Sequence, residues 1–152
     1  MLKFTDYDIV FQEIPDEVTL AINLSLCPNR CAGCHSPQLW QDIGWELTEE
    51  AIDKMLERYG SAITCVSLMG GDNDTKRVEE LALYIRSKGK HTAWYSGKQS
   101  LPEHFHTQNF DYIKLGPYIA RLGGLDKPTT NQRLYRLTDN KLTDITSRMQ
   151  KK

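Results

Sequence analysis

From residue 18 to 25 apolar and polar positions alternate, with Val18, Leu20, Ile22 and Leu24 on one side and Thr19, Ala21, Asn23 and Ser25 on the other. A period of two predicts a strand, preceded here by a short extended lead-in. Further on the period changes. Thr48 stands where a helix N-cap belongs, Glu49 and Glu50 follow it, and Ile52, Met55, Leu56 and Tyr59 form an apolar face that runs to Gly60. ITCVSLM (63–69) is an unbroken apolar and β-branched run, the pattern of a strand covered on both faces, and it stops at Gly70-Gly71-Asp72. Val78, Leu81, Ala82 and Ile85 then restore helical spacing, and Gly89 can close that helix in a left-handed conformation. HTAWYS (91–96) reads as a strand ending at Gly97, residues 101–106 as a weak helical turn, and FDYIKL (110–115) as a strand ended by Gly116-Pro117.

The β-α-β-α-β-α-β order implies an α/β fold whose parallel strands are joined by right-handed crossovers. Past Gly123 the pattern fades: LGGLDKPTTNQR has the composition of a loop, LYRL fits a short strand, and KLTDITSRMQKK is too polar to assign. In sheets and barrels of this kind ligands bind beyond the C-terminal ends of the parallel strands. The segment after the first strand, Gly70-Gly71-Asp72, Ser96-Gly97 and Gly116-Pro117 all open onto that edge.

That first loop, LCPNRCAGCHSPQLW (26–40), holds three cysteines within eight residues. A chain of 152 residues, 39% hydrophobic and 26% charged, is expected to form a single domain with a real core. A net charge of −1 offers no basic field for nucleic acid. With a charged N-terminal stretch and no apolar run of about 18 residues, the expectation is no membrane span and a cytoplasmic location. Thiols stay reduced there, which turns a cysteine group toward metal or cluster chemistry.

Cys27, Cys31 and Cys34 have the spacing C-x3-C-x2-C. Disulfide pairing would leave one thiol over, across spacings that strain a bridge. Cys31-Ala32-Gly33-Cys34-His35 is formally a c-type haem attachment sequence, but that reading gives Cys27 no purpose. Zinc would require His35 or Cys65 as a fourth ligand. Adjacent residues such as Cys34 and His35 seldom reach one ion together, and Cys65 sits in an apolar strand where a core cysteine is the simpler reading. A [4Fe–4S] cluster ordinarily takes four cysteines, so three thiolates would leave one iron open to a small-molecule ligand.

C-x3-C-x2-C after the first strand of a βα chain resembles the radical S-adenosylmethionine (SAM) enzymes. The short chain and CPNRCAGC are similar to the glycyl-radical-enzyme activases that serve anaerobic ribonucleoside-triphosphate reductase. Gly70-Gly71-Asp72 is similar to the family's G-G-E, and Thr130-Asn131-Gln132-Arg133 to its S-x-N-Q-R segment. The resemblance implies a partial (β/α) barrel with a mostly parallel sheet, residues 1–152 forming one radical SAM domain. It implies a [4Fe–4S] cluster on Cys27, Cys31 and Cys34, with SAM chelating the open iron. SAM contacts would come from His35, Gly70, Gly71, Asp72, Ser96, Gly97, Asn131 and Arg133, Asp72 standing for the family's glutamate near the SAM ammonium. The implied reaction is reductive cleavage of SAM, followed by formation of a glycyl radical on the large anaerobic ribonucleotide reductase. A flavodoxin- or ferredoxin-type protein would supply the electron, and no acid–base pair is needed.

Gly33 and His35 depart from the aromatic residues usual around the third cysteine, and Leu26 from a frequent glycine. Trp94 and Tyr95 read as core and rim of a strand, while Trp40 and Trp45 are candidates either to cover the cluster or to meet the partner. Two rival readings stand beside the activase: a radical SAM enzyme acting on a small molecule, and a non-catalytic zinc- or cluster-binding interaction module.

Overall fold

The computed structural model describes residues 2–11, 13–25, 44–138 and 141–150. Its strands are β1 (Lys3–Val10), β2 (Thr19–Leu24), β3 (Trp45–Glu46), β4 (Cys65–Met69), β5 (His91–Tyr95), β6 (Tyr112–Leu115), β7 (Arg133–Thr138) and β8 (Lys141–Asp144). They form one sheet in the order β3-β1-β2-β4-β5-β6-β7-β8. β2, β4, β5 and β6 are mutually parallel, while β1, β3, β7 and β8 are added antiparallel at the two sides. The sheet is therefore mixed rather than mostly parallel. Antiparallel neighbours such as β1 and β2 need no crossover helix between them.

Helix α1 (Glu49–Tyr59) begins where Thr48 Oγ1 accepts the Ala51 N–H at 3.1 Å, and its buried residues are Ile52 and Met55. Helix α2 (Thr75–Ser87) is capped by Asp74, whose side chain accepts the Arg77 N–H, and Gly89 follows its end at φ +81°. The third crossover has no α-helix: the helical turn expected at 101–106 is instead a 3₁₀ turn at Thr107–Asn109. The polar tail that resisted assignment forms β8 and a 3₁₀ turn at Thr146–Met149.

Register sorts the side chains onto two faces. Ile22, Leu68, Trp94 and Ile113 lie in one row under the helices, packed with Ile52, Met55, Val78, Leu81 and Ile85 in the main core. Each such side chain contributes about 1.5–3 kcal/mol on burial. The opposite face carries more polar groups. Ala21, Ser67, Ala93 and Tyr112 form one row, and Asn23, Met69, Tyr95, Lys114 and Leu134 form the row nearest the C-terminal edge. A second cluster of Ile14, Cys65, Ala93, Tyr112, Leu125 and Leu134 covers part of that face. Among the described residues, no helix is long and apolar enough to cross a membrane.

Candidate functional site

Cys27, Cys31, Cys34, His35 and Trp40 lie outside the described residues. Both flanks of their segment are described, and both are fixed at the C-terminal edge of β2. On one side Ser25 donates its N–H to the Lys3 carbonyl at 2.9 Å. On the other, Gly44 has φ +97°, and a Cβ there would lie 2.2 Å from the Phe4 carbonyl oxygen. Trp45, 69% exposed, then pairs with Phe4.

Gly70 and Gly71 follow β4 at the same edge with φ of +112° and +94°, conformations that favour glycine. Their surroundings differ. A Cβ on Gly70 would meet only Leu24, at 3.5 Å, whereas one on Gly71 would lie 2.7 Å from Val78 Cγ2 and 3.1 Å from Leu24 Cδ1. Gly71 is thus required by packing against α2 and β2, while the Gly70 backbone is less crowded. The buried Trp94 indole donates its Nε1–H to the Gly70 carbonyl at 2.6 Å and holds that turn on β5.

Asp72 is drawn to the loop after β5. Its Oδ1 accepts the Ser96 hydroxyl at 2.6 Å and its Oδ2 accepts the Gly97 N–H at 2.8 Å. Ser96 Oγ in turn accepts the Lys98 N–H at 3.0 Å, and the Lys98 carbonyl accepts the Gly116 N–H at 2.7 Å. The loops after β4, β5 and β6 are in this way tied into one rim.

Lys114, buried on β6, reinforces the rim: its Nζ donates to the carbonyls of Ser96 at 3.1 Å and Gly116 at 2.8 Å. Sequence reasoning passed over this residue, although a lysine interrupting the apolar run of FDYIKL was a usable signal. Gln132, matched to the family segment but given no role of its own, is buried and donates Nε2–H to the Gly116 carbonyl at 3.4 Å.

Asn131 joins the same rim, donating Nδ2–H to the Pro117 carbonyl at 3.1 Å. Its Oδ1 is buried with no hydrogen-bond partner among the described residues. Flipping the amide would set oxygen against oxygen at Pro117, so the open position is an acceptor, suited to an N–H of a ligand. Arg133 departs from this group: it is exposed on β7 and paired with Asp144 at 3.7 Å.

At the opposite, N-terminal end of the parallel strands sits a second polar group. The buried Glu17 carboxylate accepts the Thr64 hydroxyl at 2.6 Å and the Tyr112 hydroxyl at 2.9 Å, and lies 2.6 Å from His91 Nδ1. Burial alone would raise the pKa of Glu17, but the three donors outweigh it and hold the carboxyl below its ordinary value. Cys65 lies at this end too, fully buried, and burial pushes its thiol well above the ordinary thiol range. A cysteine so placed is core, remote along β4 from the rim and poorly suited to metal ligation.

Two comparisons with known proteins give nothing: neither curated proteins nor solved structures yield a significant match. The third does. A family model described as a 4Fe–4S single cluster domain matches residues 18–113, more than half of the chain. That span runs from the lead into β2 through the three cysteines and both described helices to β6.

Proposed function

Since the chain belongs to the 4Fe–4S single cluster domain family and is thereby an iron–sulfur protein, we propose that it is a radical SAM enzyme, an activase of a glycyl-radical enzyme. Cys27, Cys31 and Cys34 would hold the cluster through three thiolates, leaving one iron for SAM. The donor set suits this: C-x3-C-x2-C supplies three soft thiolates where four would close the cluster. When bound and reduced, the cluster supplies the electron that cleaves the SAM sulfonium to methionine and a 5′-deoxyadenosyl radical. The mixed sheet, parallel where it meets the site, serves on this reading as the partial barrel that exposes the cluster to its substrate.

One observation carries the reading. The Asp72 carboxylate binds Ser96 and Gly97, so the loops after β4 and β5 meet at the edge where the cysteine segment leaves and rejoins the described chain. Around that rim the less crowded Gly70 backbone and the unpartnered Asn131 Oδ1 suit an amino-acid moiety, which brings an ammonium to donate. The protein's part is to orient SAM and exclude water. The substrate is a backbone glycine of a large partner, the anaerobic ribonucleotide reductase, and a flavodoxin- or ferredoxin-type protein delivers the electron.

Anaerobic reconstitution with iron and sulfide, reduction with dithionite and addition of SAM should yield 5′-deoxyadenosine in the wild type and none in Cys31→Ala. With the reductase present, a glycyl radical should appear by electron paramagnetic resonance. A well-formed cluster with no SAM binding would instead identify a non-catalytic cluster module, and turnover of a small organic substrate without a protein partner would identify a different radical SAM enzyme.

A further inference from the structure

The resemblance places Asp72 near the SAM ammonium, yet its side chain has another task in the structure. Oδ1 takes the hydroxyl proton of Ser96 at 2.6 Å, and Oδ2 takes the backbone N–H of Gly97 at 2.8 Å. Ser96 is buried, and its Oγ also receives the Lys98 N–H, so this hydroxyl donates to Asp72 while accepting from its own loop. A carboxylate is needed for this: both of its oxygens accept, whereas an amide presents one acceptor and one donor. Length matters too. Neighbouring strands lie about 4.8 Å apart, and the short aspartate side chain reaches from the β4 turn to the β5 loop without folding back.

We propose that Asp72 is a positioning residue, which fixes the Gly70-Gly71 turn against the Ser96-Gly97 loop and acts on the ligand through that rim rather than by touching it. Ser96 is its required partner, and the aspartate–serine pair replaces the longer glutamate of the resembled family. The ligand side of this inference rests on the radical SAM reading; the bridge between the loops does not.

The test is a double-mutant cycle on the anaerobically reconstituted, full-length protein, with the dissociation constant of SAM measured by calorimetry for wild type, Asp72→Asn, Ser96→Ala and the double variant. The positioning role predicts that each single change weakens SAM binding about tenfold, that the double variant is weakened no further than the singles, and that Asp72→Glu does not restore affinity. A direct ammonium contact predicts that Ser96→Ala stays within about twofold of wild type, and that result would overturn the inference, as would additive losses. Hydrogen exchange at the Gly97 amide gives a readout free of SAM: Asp72→Asn should lower its protection at least tenfold, and unchanged protection also overturns the inference. If the wild type binds no SAM, the radical SAM reading fails, and exchange at Gly97 alone decides the bridge. Should Asp72→Asn misfold, Ser96→Ala carries both readouts.

Discussion

Substituting alanine at Gly71 tests why two glycines stand at the site. The left-handed backbone at φ +94° disfavours any residue with a Cβ by about 1–2 kcal/mol. The new methyl carbon would also lie 2.7 Å from Val78 Cγ2 and 3.1 Å from Leu24 Cδ1, both in the main core. Overpacking of that kind costs about 1–3 kcal/mol. Together the two effects predict a loss of about 2–5 kcal/mol, a large part of the roughly 5–15 kcal/mol that holds a domain folded. Gly70→Ala is the control: its Cβ would meet Leu24 only at an ordinary 3.5 Å, so the backbone cost of about 1–2 kcal/mol stands alone. Urea unfolding of both variants, at unchanged denaturant slope, measures the difference. Truncating Val78 to alanine removes the atom in closest conflict, so Gly71→Ala and Val78→Ala should couple favourably by about 1–2 kcal/mol, within the range found for contacting residues. If Gly71→Ala costs no more than Gly70→Ala, or the cycle shows no coupling, helix packing is not what excludes a side chain at position 71.

Two further outcomes follow from the polar group at the other end of the sheet. Glu17→Gln should lower stability at neutral pH by about 1.5–3 kcal/mol, the range for hydrogen bonds to a charged group. Because the folded-state pKa of Glu17 lies below the ordinary value, its stabilisation is complete above that value and is lost as pH falls through the folded pKa. The gap between wild type and Glu17→Gln in urea unfolding should therefore narrow on the acid side, and a gap independent of pH would contradict the assignment. Cys65→Ala should leave the iron content of the reconstituted protein unchanged; loss of iron on that substitution would make Cys65 a ligand after all.

Much of the fold was legible because periodicity is strong where burial is one-sided. The strand at 18–25, both helices with Thr48 and Gly89 at their ends, and the apolar runs of β4, β5 and β6 are found close to where their patterns predict. Trp94 is buried in the core and Tyr95 half-buried, as a strand's core and rim require. The flanking strands were harder to read for a physical reason. β8 has three exposed positions of four and β7 has one buried position, Leu134, beside the exposed Arg133 and Arg136, so neither presents a continuous apolar signal. The site followed the same division. Strand ends located Gly70, Gly71, Asp72, Ser96 and Gly97 at one edge, but which side chains bond across that edge depends on register, which no local pattern encodes. Thus Asp72 meets Ser96 and Gly97, Lys114 reaches back to two loop carbonyls, and Arg133 turns to Asp144 instead. Gly71 gives the same lesson: its residue type signalled a turn or a close ligand, while the neighbour that excludes a side chain is Val78 from α2.

On the proposed reading, three thiolates hold a cluster whose open iron takes SAM. Its most direct test is the electron paramagnetic resonance spectrum of the reduced, reconstituted protein, recorded with and without SAM labelled at the amino nitrogen and carboxylate oxygen. SAM should alter the cluster signal and the labels should couple magnetically to it, with both effects lost in Cys31→Ala along with the cluster. A well-formed [4Fe–4S] signal indifferent to SAM, showing no coupling to either label, would contradict it.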